Sequence, residues 1–396
     1  MITERELFLK NLAQTSDFPM MLEVDKAEGI FLIDRDGKKY IDLISGISVS
    51  NTGHRNPVVI EAIKNQLDSH LHAMVYGEFI QSPQTRYATR LIEYLPDAFE
   101  AVYFVNSGSE ANEGALKLAK RYTGRYEVIS FQNAYHGSTQ GVLSVIGSEY
   151  YKNAFRPLIP GVKTIRFNNF EDISLISEKT ACVIIEPIQA EGGVRLPDPD
   201  YLKVLRERCH STGTLLIFDE AQTAFGRTGH MFAFQKYNVI PDILTLSKGF
   251  GGGMPLGAFI SSHRIMNSLK DNPVLGHITT FGGHPVSCAA GLANFEFIIH
   301  QNLLKNTQEK SKVFEKYLHH PKIEEIRGTG LLFAVQLSNF EQVRNVIKSV
   351  LKKGVVTDWF LFCNNAIRIA PPLIIEEDEI MTACTALIEA INENEP

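Results

Sequence analysis

From residue 101 to residue 261 the chain alternates short, almost unbroken apolar runs with stretches whose apolar residues recur every three or four positions. The runs AVYFV (101–105), EVISF (127–131), ACVIIE (181–186), LLIFD (215–219), ILTLS (243–247) and GAFIS (257–261) predict strands buried on both faces. After the first run, Ala111, Ala115, Leu118 and Tyr122 follow at steps of four, three and four, which lines one face of a helix. Strands alternating with helices predict an α/β fold: a large, mostly parallel sheet with helices on both faces.

The last hundred residues carry a different pattern. NLLKNTQEKSKVFEKYL and FEQVRNVIKSVLKKG read as amphipathic helices, the second closed by Gly354, and RGTGLLFAVQL (327–337) between them reads as a turn and a strand. The segment EDEIMTACTALIEAI sets Ile380, Cys384, Leu387 and Ile391 on one helical face. Near the other end, EGIFLIDRDGKKYIDLIS predicts a hairpin turning at DRDG. The expected division is an N-terminal segment, 1–45, joined to a smaller α+β domain at 301–396, with a large domain at 46–300. No repeat, low-complexity tract or Pro/Ser-rich linker separates them.

Composition narrows the class. With 396 residues, 44% apolar and 21% charged, the chain has the make-up of a globular protein of two or three domains. A net charge of −6 argues against broad capture of nucleic acid or anionic membrane. Cys182, Cys209, Cys288, Cys363 and Cys384 are scattered and form no C-x-x-C pair, so neither a zinc cage nor a disulfide framework is expected. The opening MITERELFLK lacks the apolar core of a signal peptide, and no apolar run approaches membrane-spanning length; a cytoplasmic enzyme is expected.

In an open α/β sheet, ligands bind beyond the carboxyl ends of the strands. Four such ends carry polar groups: Asn106-Ser107-Gly108-Ser109, Glu186, Asp219 with Gln222, and Ser247-Lys248. In VNSGSEANEGALKLAK, Ser107 and Glu110 fit the S-x-x-E capping box, while Gly108 and the helix N-terminus suit an anion such as phosphate. An ordinary helix cap explains the same residues. Asp219-Glu220 resembles a magnesium-holding pair, but the chain has no G-x-x-x-x-G-K-[ST] loop to go with it. Two uses stay open for Asp219: the cap of a following helix, or a buried carboxylate that holds a proton on a heteroaromatic nitrogen. Lys248 ends an apolar strand ahead of Gly251–Gly253. There it is either a solvated loop lysine or a buried amine whose pKa is depressed, as imine chemistry requires. GFGGG fails the spacing of a dinucleotide fingerprint. Taken together, a phosphate cradle, an aspartate for a ring nitrogen and a lysine for an aldehyde meet the needs of pyridoxal 5′-phosphate (PLP).

Read in order, NTGHRNP (51–57), NSGSEANEGALKLAK, AYHGST (134–139), IIEPIQAEGGV (184–194), IFDEAQTAFGRTG, LSKGFGGGMPLGA, TTFGGHP (279–285) and RIAPPL (368–373) resemble the class III PLP-dependent aminotransferases. That family holds the acetylornithine, ornithine and 4-aminobutyrate aminotransferases. The resemblance runs over nearly the whole chain and implies the PLP-dependent transferase fold type I, as a homodimer with active sites at the subunit interface. It implies Lys248 as the lysine in imine linkage to PLP and as proton shuttle, Asp219 against the pyridine nitrogen, and Gln222 on the ring hydroxyl. Ser107, Gly108 and Ser109 would cradle the phosphate, joined by Thr280 of the partner subunit, and Tyr135, followed by His136, would stack on the ring.

The same resemblance assigns Arg368 to the α-carboxylate of 2-oxoglutarate or glutamate, a bidentate task suited to guanidinium, and Glu191 to pairing with that arginine while an ω-amine donor is bound. Ile47 matches the acetylornithine and 4-aminobutyrate branches. Two positions depart from the pattern: Ser138 stands where those relatives carry an arginine for the donor's carboxylate, and His284 stands for Asn before Pro285. The expected reaction is transfer from an ω-amino donor to 2-oxoglutarate by a ping-pong cycle. An isomerase, either aminomutase or racemase, needs no alternating acceptor, so the Glu191–Arg368 combination counts against it. Retention of Lys248, Asp219 and Gln222 counts against a non-catalytic regulator.

Overall fold

The computed structural model describes residues 2–394. Its centre is a seven-stranded sheet in the order Ala101–Val105, Gly257–Ser261, Ile243–Leu246, Leu215–Asp219, Thr180–Ile185, Glu127–Phe131, Val162–Ile165. Gly257–Ser261 runs antiparallel to both its neighbours, and every other pairing in the sheet is parallel. Six of the strands coincide with the apolar runs to within a residue. Val162–Ile165 has no such run, because as an edge strand it exposes Lys163 and Thr164.

Alternate residues of each strand enter separate cores, as a period of two requires. Ile184, Ile217, Ile243 and Phe259 pack with Ala111, Ala115 and Leu118 of helix Gly108–Thr123. Val183, Ile185, Leu216, Phe218 and Leu244 pack on the opposite face with Leu91, Leu205 and Phe295, which come from helices Ser82–Tyr94, Tyr201–Thr212 and Pro285–His300. The helices therefore cover both faces. Each parallel strand delivers its carboxyl end, with the loop that follows, to one edge of the sheet.

Two smaller sheets complete the fold. Val24–Glu28, Phe31–Asp34 and Lys39–Asp42 form an antiparallel meander, and Val355–Val356 adds to it in parallel beside Lys39–Asp42. The DRDG turn lies where the pattern put it. Glu325–Thr329, Leu332–Gln336, Cys363–Ile369 and Trp359–Phe360 form the other sheet, and the expected single strand at 327–337 is a hairpin turning at Gly330. Helix Glu377–Glu393 buries Ile380, Cys384, Leu387 and Ile391, the predicted face. Among the described residues no helix is long and apolar enough to cross a membrane, no cluster of side chains suits a metal ion, and all five cysteines are free.

Candidate active site

The polar groups at the strand ends converge on a cavity of about 170 Å³. Ser107, Gly108, Tyr135, His136, Asp219 and Lys248 are among the residues that line it. A second cavity, of about 380 Å³, is lined by Ile47, Glu191, Asp358, Trp359 and Arg368, and both are walled by Tyr135, Gln222 and Lys248. Lys248 therefore stands where two chambers meet.

Ser107 is the N-cap of helix Gly108–Thr123, and its hydroxyl accepts the N–H of Glu110 at 3.2 Å. The return arm of the expected capping box is displaced by one residue. Glu110 Oε2 takes the backbone N–H of Asn106 at 2.6 Å and its side-chain amide at 2.9 Å, so the N–H of Ser107 itself is not part of the cap. First-turn N–H groups have no intrahelical acceptor, which leaves this end suited to an anion. The loop that bears Tyr135 and His136 lies hard against the same turn. Gly137 has φ +123°, and a Cβ there would fall 2.2 Å from Ser109 Oγ, so only glycine lets the two segments meet.

Asp219 is buried and caps no helix; residues 221–232 run through turns. Its Oδ1 accepts the N–H of Ala221 at 3.0 Å, and its Oδ2 is shared by His136 Nδ1 at 2.8 Å and Asn112 Nδ2 at 2.7 Å. Burial works against the charge, but these hydrogen bonds outweigh it and hold the carboxyl below its ordinary range. Glu220 points the other way, to the N–H groups of Ala233 and Phe234 at 2.5 and 2.8 Å, so the two carboxylates do not form a metal pair. Asn112, which sequence reasoning missed, is fixed by Thr245 Oγ1 at 2.7 Å. The available signal was a polar residue on the buried face of an otherwise apolar helix.

Lys248 has a positive φ of 55°, and its ammonium makes no hydrogen bond or ion pair with any described residue. Burial pushes its pKa down to about 8, against the opposing pull of Glu191. A depressed, unpartnered amine, an ionised carboxylate at a strand end and a helix N-terminus fit the aldehyde, ring nitrogen and phosphate of PLP. The unpaired Nε2 of buried His136 is a further polar atom beside the same space.

In the second cavity Arg368 forms a two-pronged pair with Glu191, Nη1–Oε1 2.9 Å and Nη2–Oε2 3.0 Å, both side chains being buried. Burial raises the carboxyl of Glu191, but Arg368 outweighs it and brings the pKa down to about 2. The side-chain amide of Gln222 links the two, donating to Glu191 at 2.9 Å and accepting from Arg368 at 3.3 Å. Ile47 reaches this cavity from a left-handed turn, Ser45–Ser48, in which all four residues have positive φ. The turn is held by Arg227, a fully buried guanidinium. It donates to Ser45 Oγ at 3.0 Å, Asn51 Oδ1 at 2.7 Å, and the carbonyls of Leu331 and Pro371 at 2.9 and 2.5 Å. Ser138 is exposed and lines neither cavity, and its N–H donates to Ser109 Oγ at 3.3 Å. Thr280 is exposed as well and lines neither cavity; its carbonyl bonds His72 Nε2 at 3.1 Å.

Residues 12–391 match the family model for aminotransferase class III. The chain is 40% identical over 382 residues to an acetylornithine aminotransferase of Methanocaldococcus jannaschii, with 93% of each chain covered. It is 36% identical over 375 residues to the [LysW]-aminoadipate semialdehyde/glutamate semialdehyde transaminase of Sulfolobus acidocaldarius, covering 93% and 95%. Among solved structures, the adenosylmethionine-8-amino-7-oxononanoate aminotransferase of M. jannaschii superposes with a TM-score of 0.91 at 31% identity over 99% of each chain. The matches extend along the same length of chain that builds both cavities, and the chain therefore belongs to the class III aminotransferases, transaminases whose cofactor is PLP.

Proposed function

We propose that this transaminase moves an amino group from an ω-amino donor of the acetylornithine, ornithine or 4-aminobutyrate kind to 2-oxoglutarate, in two alternating half-reactions. The observation that carries the reading is the buried Glu191–Arg368 pair facing Lys248 across the larger cavity. Paired, the two present no free charge to a donor. Unpaired, Arg368 offers a fork to a carboxylate. The relatives named for acetylornithine and for the two semialdehydes support this donor class.

Bound PLP supplies the electron sink that stabilises negative charge on the reacting carbon. Asp219, kept ionised, holds a proton on the ring nitrogen, and His136 and Asn112 fix its orientation. The Lys248 amine, poised near neutrality, takes a proton from one carbon and returns it to another. Tyr135 would stack on the ring, Ser107, Gly108 and Ser109 would hold the phosphate, and Gln222, which already bonds the Glu191–Arg368 pair, would also meet the ring hydroxyl. Ile47 would border the donor in the larger cavity, and Ser138, outside both cavities but beside the Tyr135 side chain, would meet only the donor's outer end.

We further propose a homodimer. Ile80 is 98% exposed and Val274 72%, and Leu71, Phe79 and Phe281 are exposed on the segments around Thr280. An apolar surface on that scale suits a second copy, which would bring Thr280 to the partner's phosphate. Residues 1–45 and 301–396 are proposed as one small domain against 46–300, a division supported by the pairing of Val355–Val356 with Lys39–Asp42.

The test is spectroscopic. Each amine of a donor panel is mixed with the purified holoenzyme, and the cofactor absorbance is followed. Loss of the band with ω-amino donors and its return on adding 2-oxoglutarate is the expected result. Racemisation or amino-group migration with no acceptor present would overturn the reading.

A further inference from the structure

All five N–H groups of Arg368 are engaged. Nε donates to Asp358 Oδ1 at 2.9 Å; Nη1 to Glu191 Oε1 at 2.9 Å and Gln222 Oε1 at 3.3 Å; Nη2 to Glu191 Oε2 at 3.0 Å and the carbonyl of Trp359 at 3.3 Å. A substrate carboxylate can bind this guanidinium only by displacing one of its two carboxylates, and the two are mounted differently. Asp358 directly precedes strand Trp359–Phe360, which pairs with the arginine's own strand Cys363–Ile369: the N–H of Arg368 donates to the carbonyl of Asp358 at 2.9 Å, and Thr357 Oγ1 donates to the carbonyl of Arg368. The two side chains leave adjoining segments whose register is fixed by main-chain bonds. Glu191 reaches across from the loop after strand Thr180–Ile185 of the large sheet, held there by the N–H of Phe362 on its carbonyl and the N–H of Leu361 on Oε2 at 3.1 Å. Its carboxylate covers both Nη groups, the fork that a substrate carboxylate would take, whereas Asp358 holds Nε alone.

We infer that Asp358 is the fixed anchor of Arg368 and Glu191 its displaceable partner, so that Asp358 positions the guanidinium for the substrate's carboxylate. The inference rests on the reading of Arg368 proposed above. When Glu191 withdraws, the bonds to Asp358, Gln222 and Trp359 remain, one on each nitrogen, and the ring of Phe360, 4.4 Å from the guanidinium carbon, supports its face. The two outward N–H groups then keep their aim without reorganisation, which is what makes a fork selective for a carboxylate.

The sign of one measurement separates this role from simple electrostatics. Asp358 is an anion beside the binding cation, so by charge alone its removal should tighten an incoming carboxylate. As an anchor, its removal should weaken it. The probe is glutarate, a dicarboxylate with no carbonyl to react, titrated calorimetrically into holoenzyme. Asp358→Ala is expected to raise its Kd about tenfold, the worth of one charge-assisted hydrogen bond. Asp358→Asn keeps an acceptor for Nε and is expected to stay within about threefold of wild type. In the half-reaction with 2-oxoglutarate, the loss falls on the half-saturating concentration and not on the limiting rate. Melting temperature and the cofactor band report whether each variant is folded, and Asp358→Asn keeps the test open should the alanine variant fail. Wild-type or tighter glutarate binding by Asp358→Ala would overturn the inference. Arg368→Ala is the control. If it too binds glutarate normally, the reading of Arg368 falls and the anchor with it. If it weakens binding while Asp358→Ala does not, the anchor alone falls.

Discussion

The backbone N–H of Tyr135 donates to Glu186 Oε1 at 2.9 Å, and the other oxygen of the same carboxyl takes the N–H of Ala190 at 3.1 Å. One buried side chain thus ties the loop of Tyr135 to the loop of Glu191. Burial, with Asp219 nearby, pushes its pKa up to about 8 from an ordinary 4.5, so at neutral pH it holds a proton that the unfolded chain releases. The folded state binds more protons between these values, and stability therefore falls as pH rises from about 4.5 to 8. Glu186→Gln, neutral and of the same shape, should flatten that decline; a melting-temperature series across the window checks it. A variant that keeps the wild-type slope would show that another group supplies it.

Lys248→Ala removes the amine that, among the described residues, stands unpartnered between the two cavities. It should abolish the absorbance of covalently held cofactor and all turnover, while circular dichroism stays that of the wild type. Transamination at near wild-type rate would show that another amine carries the cofactor.

Asp219→Asn keeps the shape and can still bond His136 and Ala221, but it loses the charge. The variant should retain PLP and slow proton abstraction by at least about a hundredfold, the lower end of what a positioned acid or base contributes. The measurement is single-turnover decay of the cofactor band with a deuterated donor. An undiminished rate would mean the ring nitrogen is held elsewhere.

Ser138, which lines neither cavity, occupies the position at which the family resemblance puts an arginine for the donor's carboxylate, and among the described residues Arg368 is the only arginine lining the larger cavity. A missing bidentate clamp costs about 1.5–3 kcal/mol, or about 10- to 150-fold in donor binding. Acetylornithine and 4-aminobutyrate should therefore be used weakly, and amines without that carboxylate tolerated better. Ser138→Arg should raise kcat/KM for the former and leave glutamate unchanged. Strong wild-type preference for acetylornithine, with no gain from the arginine, would show that a different cation serves.

The sequence revealed what is local and left out what is brought together late. Continuous apolar strands announced the large sheet, and the residues just past Val105, Leu215–Asp219 and Ile243–Leu246 followed from the rule that ligands gather at strand ends. Strand Cys363–Ile369 was not legible: it opens with Cys363, Asn364 and Asn365, and its apolar part is only Ala366 onward. Asp358 and Arg227 were equally hidden. Their partners lie across main-chain turns and separate sheets, and a lone acid or base in a sequence says nothing of which carbonyl or guanidinium it will meet. The Glu191–Arg368 pair was found only through resemblance, because no spacing rule joins residues 177 positions apart.

The turn that presents Ile47 has a consequence for how the pocket changes over generations. A β-branched residue at φ 61° and ψ 62° costs about 1–2 kcal/mol, and that cost is borne because Arg227 clamps the turn from behind. Glycine at 47 would relieve the strain, forfeit a half-buried side chain and loosen the unfolded chain, terms of similar size that leave stability within about 1 kcal/mol of wild type. It would also open the wall of the larger cavity. Most enlargements of a pocket weaken the protein that carries them; at this position the pocket can widen with stability nearly unchanged, so long as Arg227 keeps its bonds to Ser45 and Asn51.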